Sequence, residues 1–207
     1  MSNNFKPALV ALLMLTSAGS AKAWILNISS GPRQIYIQVG NGSYTGGNYN
    51  AGGTPANNNT VNVVSVNIPA ASLGNSTALP MTSNSTAANS FYDGFNVCNP
   101  PSQVYIGGWV RVPGSSGSGV MSVTTPASLV NAAGNTIPFS SISWTSTANG
   151  DSTPHITAGT FNGGTITLAS IGANRWVENC MTFSYANTAI YASGTYTGRA
   201  IYTLSLP

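Results

Sequence analysis

"GTYTGRAIYTLSLP", residues 194–207, alternates along its whole length. Taken in steps of two, Tyr196, Gly198, Ala200, Tyr202, Leu204 and Leu206 fall on one side, with Thr195, Thr197, Arg199, Ile201, Thr203 and Ser205 on the other. The spacing predicts a long strand with one strongly apolar face. An uncovered strand edge is a template for pairing with another chain, so what lies beside this strand matters for the whole fold.

Runs of the same kind recur upstream, separated by clusters of Gly, Asn, Pro and Ser, and no window carries a sustained helical period with caps. Strands are expected at 24–28 (WILNI), 33–39 (RQIYIQV), 61–68 (VNVVSVNI), 103–112 (QVYIGGWVRV) and 119–125 (GVMSVTT). More follow at 137–146 (IPFSSISWTS), 164–170 (GTITLAS) and 180–186 (CMTFSYA). Such a series of short strands reads as an all-β sandwich. "PASLVNAAG", 126–134, is expected to hold a turn of helix, and the polar stretches 40–59 and 72–90 read as surface loops.

The first 23 residues stand apart: Lys6, an apolar run from Ala8 to Leu15, and the small-x-small ending Ala21-Lys22-Ala23. This is the pattern of a secretory signal peptide cut before Trp24. The apolar run is much shorter than the roughly 20 residues of a membrane-spanning helix. Residues 24–207 are then expected to form a single exported domain. Both lysines leave with the leader, and four arginines remain against Asp93, Asp151 and Glu178, a net charge of +1. So sparse a charge leaves no basic stripe for phosphates, which excludes nucleic acid as an expected partner.

Cys98 and Cys180 are the only cysteines, and in an exported chain they have one possible bridge. Closing a loop of about 80 residues contributes on the order of 4 kcal/mol. Neither has the partners of a catalytic thiol or a metal site nearby in sequence, since the only imidazole is His155. General acid–base work needs paired titratable groups, and this supply is too thin; Asp151 and His155 read as loop residues in "NGDSTPH". "GNGSYTGG", 40–47, fails the dinucleotide-binding spacing because Thr45 stands where the third glycine belongs. No catalytic residue, metal or cofactor is expected. Among the aromatics, Trp109 and Trp144 read as core, whereas Tyr44 and Tyr49, flanked by Gly and Asn, are the candidates for surface recognition, including of glycans.

The closing segment "NCMTFSYANTAIYASGTYTGRAIYTLSLP", 179–207, resembles that of fimbrial (pilin-like) subunits of the chaperone–usher pathway, which end on a G-x-Y-x-G strand alternating to the last residue. "NAAGNTIPFSSISWTS", 131–146, is similar to a mid-chain region of pilin-like secreted proteins. The resemblance implies an incomplete immunoglobulin-like sandwich whose groove is filled first by a strand of a periplasmic chaperone and then by the N-terminal extension of a neighbouring subunit. Tyr196, Gly198, Ala200, Tyr202, Leu204 and Leu206 would form the edge strand bordering the groove, and Trp24, Leu26 and Ile28 the candidate donor arm. It also implies passage through an outer-membrane usher to a cell-surface fimbrium with a role in adhesion. The alternative is a free-standing secreted recognition module, a carbohydrate-binding or adhesive sandwich using the loops around Tyr44 and Tyr49.

Overall fold

The structure, a computed structural model, describes residues 26–58, 60–148 and 153–207; Trp24 and Asp151 lie outside them. The strands are β1 (Leu26–Asn27), β2 (Gln34–Val39), β3 (Tyr44–Thr45), β4 (Thr54–Pro55), β5 (Val64–Ser65), β6 (Leu79–Pro80), β7 (Thr82–Ser83) and β8 (Val104–Arg111). They continue with β9 (Ser118–Thr124), β10 (Ser128–Val130), β11 (Thr136–Pro138), β12 (Ile142–Ala148), β13 (Gly159–Thr160), β14 (Thr165–Gly172), β15 (Arg175–Tyr185) and β16 (Ile201–Ser205). The larger sheet runs β13-β12-β15-β8-β2 and the smaller one β14-β9-β16, with antiparallel pairing throughout. The fold is an all-β sandwich.

Alternation explains how the layers meet. In β9 every second residue is buried, placing Met121 and Val123 against the other sheet, and in β16 Leu204 does the same. From the larger sheet Ile106, Val110, Val177, Met181 and Phe183 face them in one continuous core. At about 25 cal/mol per Å² of apolar surface withdrawn from water, this interior is the main source of stability.

β8 departs from alternation, with seven consecutive residues buried. A strand reads this way when both of its faces are covered. Here Ile106 and Val110 face the sandwich core, whereas Tyr105 and Trp109 point outward and are still buried, 0% and 4% exposed. The outer face of the larger sheet therefore carries a second apolar layer.

Several expected elements come out differently, among them the strand expected at 137–146, which is divided by a 3-10 turn at Phe139–Ser141 between β11 and β12. Residues 128–130 form β10 in a hairpin with β11 rather than a turn of helix. Asn131 makes the difference, because its Oδ1 accepts the Ala133 and Asn135 N–H groups and closes an Asx-type turn in which Gly134 sits at φ +82°. In 61–68 only Val64 and Ser65 join a ladder, with β7, although Val64, Val66 and Ile68 still turn alternately to the core. The terminal strand shrinks to Ile201–Ser205 because its partner β9 ends at Thr124, before Pro126, which has no N–H to offer. Residues 196–200 bridge β10 instead, through two bonds between Thr197 and Val130.

Candidate functional site

Two features of the fold are candidates for function: an open strand edge and a roofed outer face. The edge belongs to β16, whose ladder runs only to β9, from Ile201↔Thr124 to Ser205↔Val120; its other side is unpaired among the described residues. Tyr202, Leu204 and Leu206 face the core, and Tyr196 and Ala200 pack against it from outside the ladder. Gly198 fits under Leu129 and Phe139, where a Cβ would come within 2.7 Å and 2.8 Å of their side chains.

"RQIYIQV" does not close this edge. β2 pairs with β8, from Gln34↔Arg111 to Val39↔Ile106, and forms the outer strand of the larger sheet beside β16. Cross-strand neighbours share a face, so Ile35, opposite the buried Val110, points toward the sandwich interior, yet it is 42% exposed. Ile37, Val39, Tyr202 and Leu206 on the same seam are only half-buried. The sandwich thus has an incompletely covered apolar seam between two strand edges.

Leu26 and Ile28 are seated on their own domain and do not form a free arm. Leu26 pairs with Trp176, the Ile28 N–H donates to the Asn174 carbonyl at 2.9 Å, and Ile28 is buried with Trp109 and Trp176.

The roofed face begins with a cluster of three rings. Tyr36 of β2, Trp109 of β8 and Trp176 of β15 come from positions in register and close into a triangle, with centroids 6.2, 6.4 and 6.1 Å apart. The loops at 40–58 and 84–98 cover them, bringing Tyr44, Tyr49, Phe91 and Tyr92 into the same cluster. Tyr49 stacks on Tyr92 at 5.8 Å and its hydroxyl accepts a hydrogen bond from Arg111, whose guanidinium lies over the Tyr49 and Trp109 rings. Tyr44 meets Tyr36 edge-on at 5.4 Å. The structure thus brings both candidate recognition tyrosines together, Tyr49 inside the roof and Tyr44 at its border. Burial raises the Tyr36 phenol to about 12 and pushes that of Tyr44 up as well.

Beneath the roof lies Glu178. Its carboxylate accepts bonds from the Ser90 hydroxyl at 2.7 Å, the Phe91 N–H at 3.2 Å and the Tyr105 hydroxyl at 2.6 Å. Gly107, opposite Glu178, makes this possible, since a Cβ there would stand 2.7 Å from the Tyr105 oxygen. Burial lifts the Glu178 carboxyl above its ordinary 4.5, the hydrogen bonds from Tyr105 and Ser90 pull it partly back, and nearby Asp93 raises it again. A buried charge is tolerated only with such partners. Beside it the Cys98–Cys180 disulfide, with Cα atoms 5.6 Å apart, ties the end of the covering loop to β15.

Sequence reasoning left Glu178 among scattered charges. The available signal was its position between Trp176 and Cys180, two residues either way on the same face of the strand. Among the described residues no group of three or more His, Cys, Asp or Glu side chains could hold a metal ion.

Fold and sites together define an all-β sandwich with an open apolar seam and a bolted aromatic roof. No protein-family model, curated protein or solved structure matches the chain.

Proposed function

We propose that this chain is a non-enzymatic, exported structural subunit of a cell-surface fibre of the chaperone–usher kind. In this reading it is an incomplete immunoglobulin-like sandwich completed by a strand from another chain. The observation that carries the reading is the seam between β2 and β16, where edges without a second ladder partner among the described residues flank inward-facing Ile35, Ile37, Val39, Tyr202 and Leu206 that the described chain covers incompletely. An extended segment laid along β16 would satisfy main-chain groups by ladder bonds and fill the seam with alternate side chains. The neutral surface of Asn, Thr, Ser and Gly suits an exported fibre, where few charges are needed for solubility.

A periplasmic chaperone would occupy the seam first and a neighbouring subunit later, with an outer-membrane usher as the exit. Because Leu26 and Ile28 are docked on β15 and the aromatic cluster, donation by this arm requires their release. The test is soluble yield of the full chain in a periplasm with and without a co-expressed chaperone, followed by electrophoresis in detergent without boiling. Chaperone-dependent yield and a detergent-resistant ladder are expected; a stable, soluble monomer made alone in full yield would sink the proposal.

A further inference from the structure

The two roofing loops meet in a cleft of about 490 Å³, bordered by Tyr44, Asn48, Thr86, Ala88, Asn89 and Phe91. From its chemistry we infer that this cleft is a binding site for a neutral carbohydrate. Among the described residues no Asp, Glu, Lys, Arg or His borders it, and the side chains that do carry no charge with which to select a charged ligand over a neutral one. Its volume is that of a small-molecule site. Amide and hydroxyl groups beside aromatic rings are what a sugar requires: hydroxyls to pair in hydrogen bonds and an apolar C–H face to lie against the negative face of a ring.

The polar atoms are held in place, with bonding capacity left over. Asn48 accepts the Ala51 N–H at Oδ1, 2.8 Å away, leaving its Nδ2 group without a partner among the described residues. Asn89 donates Nδ2 to the Gly94 carbonyl at 2.9 Å, leaving Oδ1 to accept. One fixed donor and one fixed acceptor can each pair with a sugar hydroxyl. Gly94, at φ +80°, keeps the space open, because a Cβ there would stand 2.9 Å from Asn48 Nδ2. The Tyr44 and Phe91 rings at the border lie 6.1 Å apart.

The cleft is also rigid, which lowers the ordering cost of binding. Bonds from the Tyr49 N–H to the Phe91 carbonyl at 3.0 Å and from the Asn50 N–H to the Tyr92 carbonyl at 2.7 Å sew one loop to the other. Glu178 bolts Ser90 and Phe91 to the sheet, and the Asn41 Oδ1 accepts both the N–H and the hydroxyl of Thr86. None of this depends on the seam at β16, so loss of fibre assembly would leave it intact.

The experiment is a titration of the purified full chain with methyl glycosides of glucose, galactose, mannose and N-acetylglucosamine, followed by NMR. Saturable shifts of the Asn48 and Asn89 side-chain amides are expected, with a dissociation constant of about 1 mM for the best probe. Ala88→Leu, which puts three further carbons at the cleft's border, should weaken binding past detection, and Asn48→Leu should weaken it about tenfold, the equivalent of one hydrogen bond. Should either variant misfold, the amide shifts of the unaltered chain still decide the matter. Absence of saturation with all four glycosides, shifts confined to residues outside the cleft, binding that survives both substitutions, or preference for sialyl-lactose over lactose would each overturn the assignment.

Discussion

The two faces of β15 are covered by different means, the inner one buried at every position from Val177 to Tyr185 and the outer one only in part. On the inner face Val177, Met181, Phe183 and Tyr185 join the sandwich core, with the buried Asn179 among them accepting the Ile156 N–H at 3.1 Å. On the outer face Trp176, Glu178 and Cys180 are covered by loops that could not stay in place through apolar contact alone. A sheet packs on a sheet through the periodicity of both, whereas a loop must be fixed point by point, here by a disulfide, a carboxylate and ring contacts. The inner face should therefore respond to lost volume, and the outer face to lost bonds and to pH.

Phe183→Ala tests the inner face at its strongest. The ring is 6% exposed and stacks on Phe161 at 6.3 Å, so its removal should cost about 3–5 kcal/mol in urea unfolding, by lost transfer energy plus a cavity. The outer-face counterpart is Cys98→Ser. By the loop-closure argument for a separation of 82 residues, it should cost on the order of 4 kcal/mol or somewhat less. Denatured wild-type protein should show no reactive thiol and the variant one, at Cys180; two thiols in the wild type would remove the staple.

Tyr105→Phe sharpens the contrast, since it keeps the ring and deletes only the hydroxyl that donates to Glu178 at 2.6 Å. Leaving a half-buried carboxylate short of a donor should cost about 1–3 kcal/mol. A loss within error would mean that water replaces the hydroxyl and that the outer layer is wetter than the inner. The effect should depend on pH. Because the folded state holds the Glu178 carboxyl above its ordinary 4.5, its protonated form favours folding. The associated stability is fully present below about 4.5 and is lost as pH rises through the elevated folded value. The difference in unfolding free energy between wild type and Glu178→Gln should shift in favour of the variant as pH rises from 4 toward 8; a difference independent of pH would show that Glu178 is not held above its ordinary range.

The same contrast explains what could be read without coordinates. Period-two alternation identifies β9, the middle of β15, and the inward set Tyr202, Leu204 and Leu206, because two sheets facing each other impose that period directly. The strand expected at 180–186 begins instead at Arg175, since Glu178 and Asn179 look like a polar break until their buried partners are seen. The outer roof is invisible to periodicity. Tyr44 and Tyr49 could be singled out as loop aromatics, but their convergence with Tyr36, Trp109 and Trp176 depends on pairings far apart in sequence. The alternation of 194–207 overstated the ladder and not the facing, because facing follows the side chains whereas a ladder also needs a partner strand of equal length.

β16 offers the smallest effect and the most discriminating one, because no described residue roofs its outer face at Ile201. Ile201 is 55% exposed on that face, so Ile201→Thr, which keeps the β-branch, should change stability by no more than about 0.5 kcal/mol in dilute solution. Leu204→Ala, on the inner face of the same strand, should cost about 2–5 kcal/mol. If Ile201→Thr approached the inner-face value, this side of β16 would be covered in solution as the outer face of β15 is. Repeating the measurement across protein concentration then separates the causes: a cover supplied by the chain itself gives a constant cost, whereas one supplied by a second molecule gives a cost that grows with concentration.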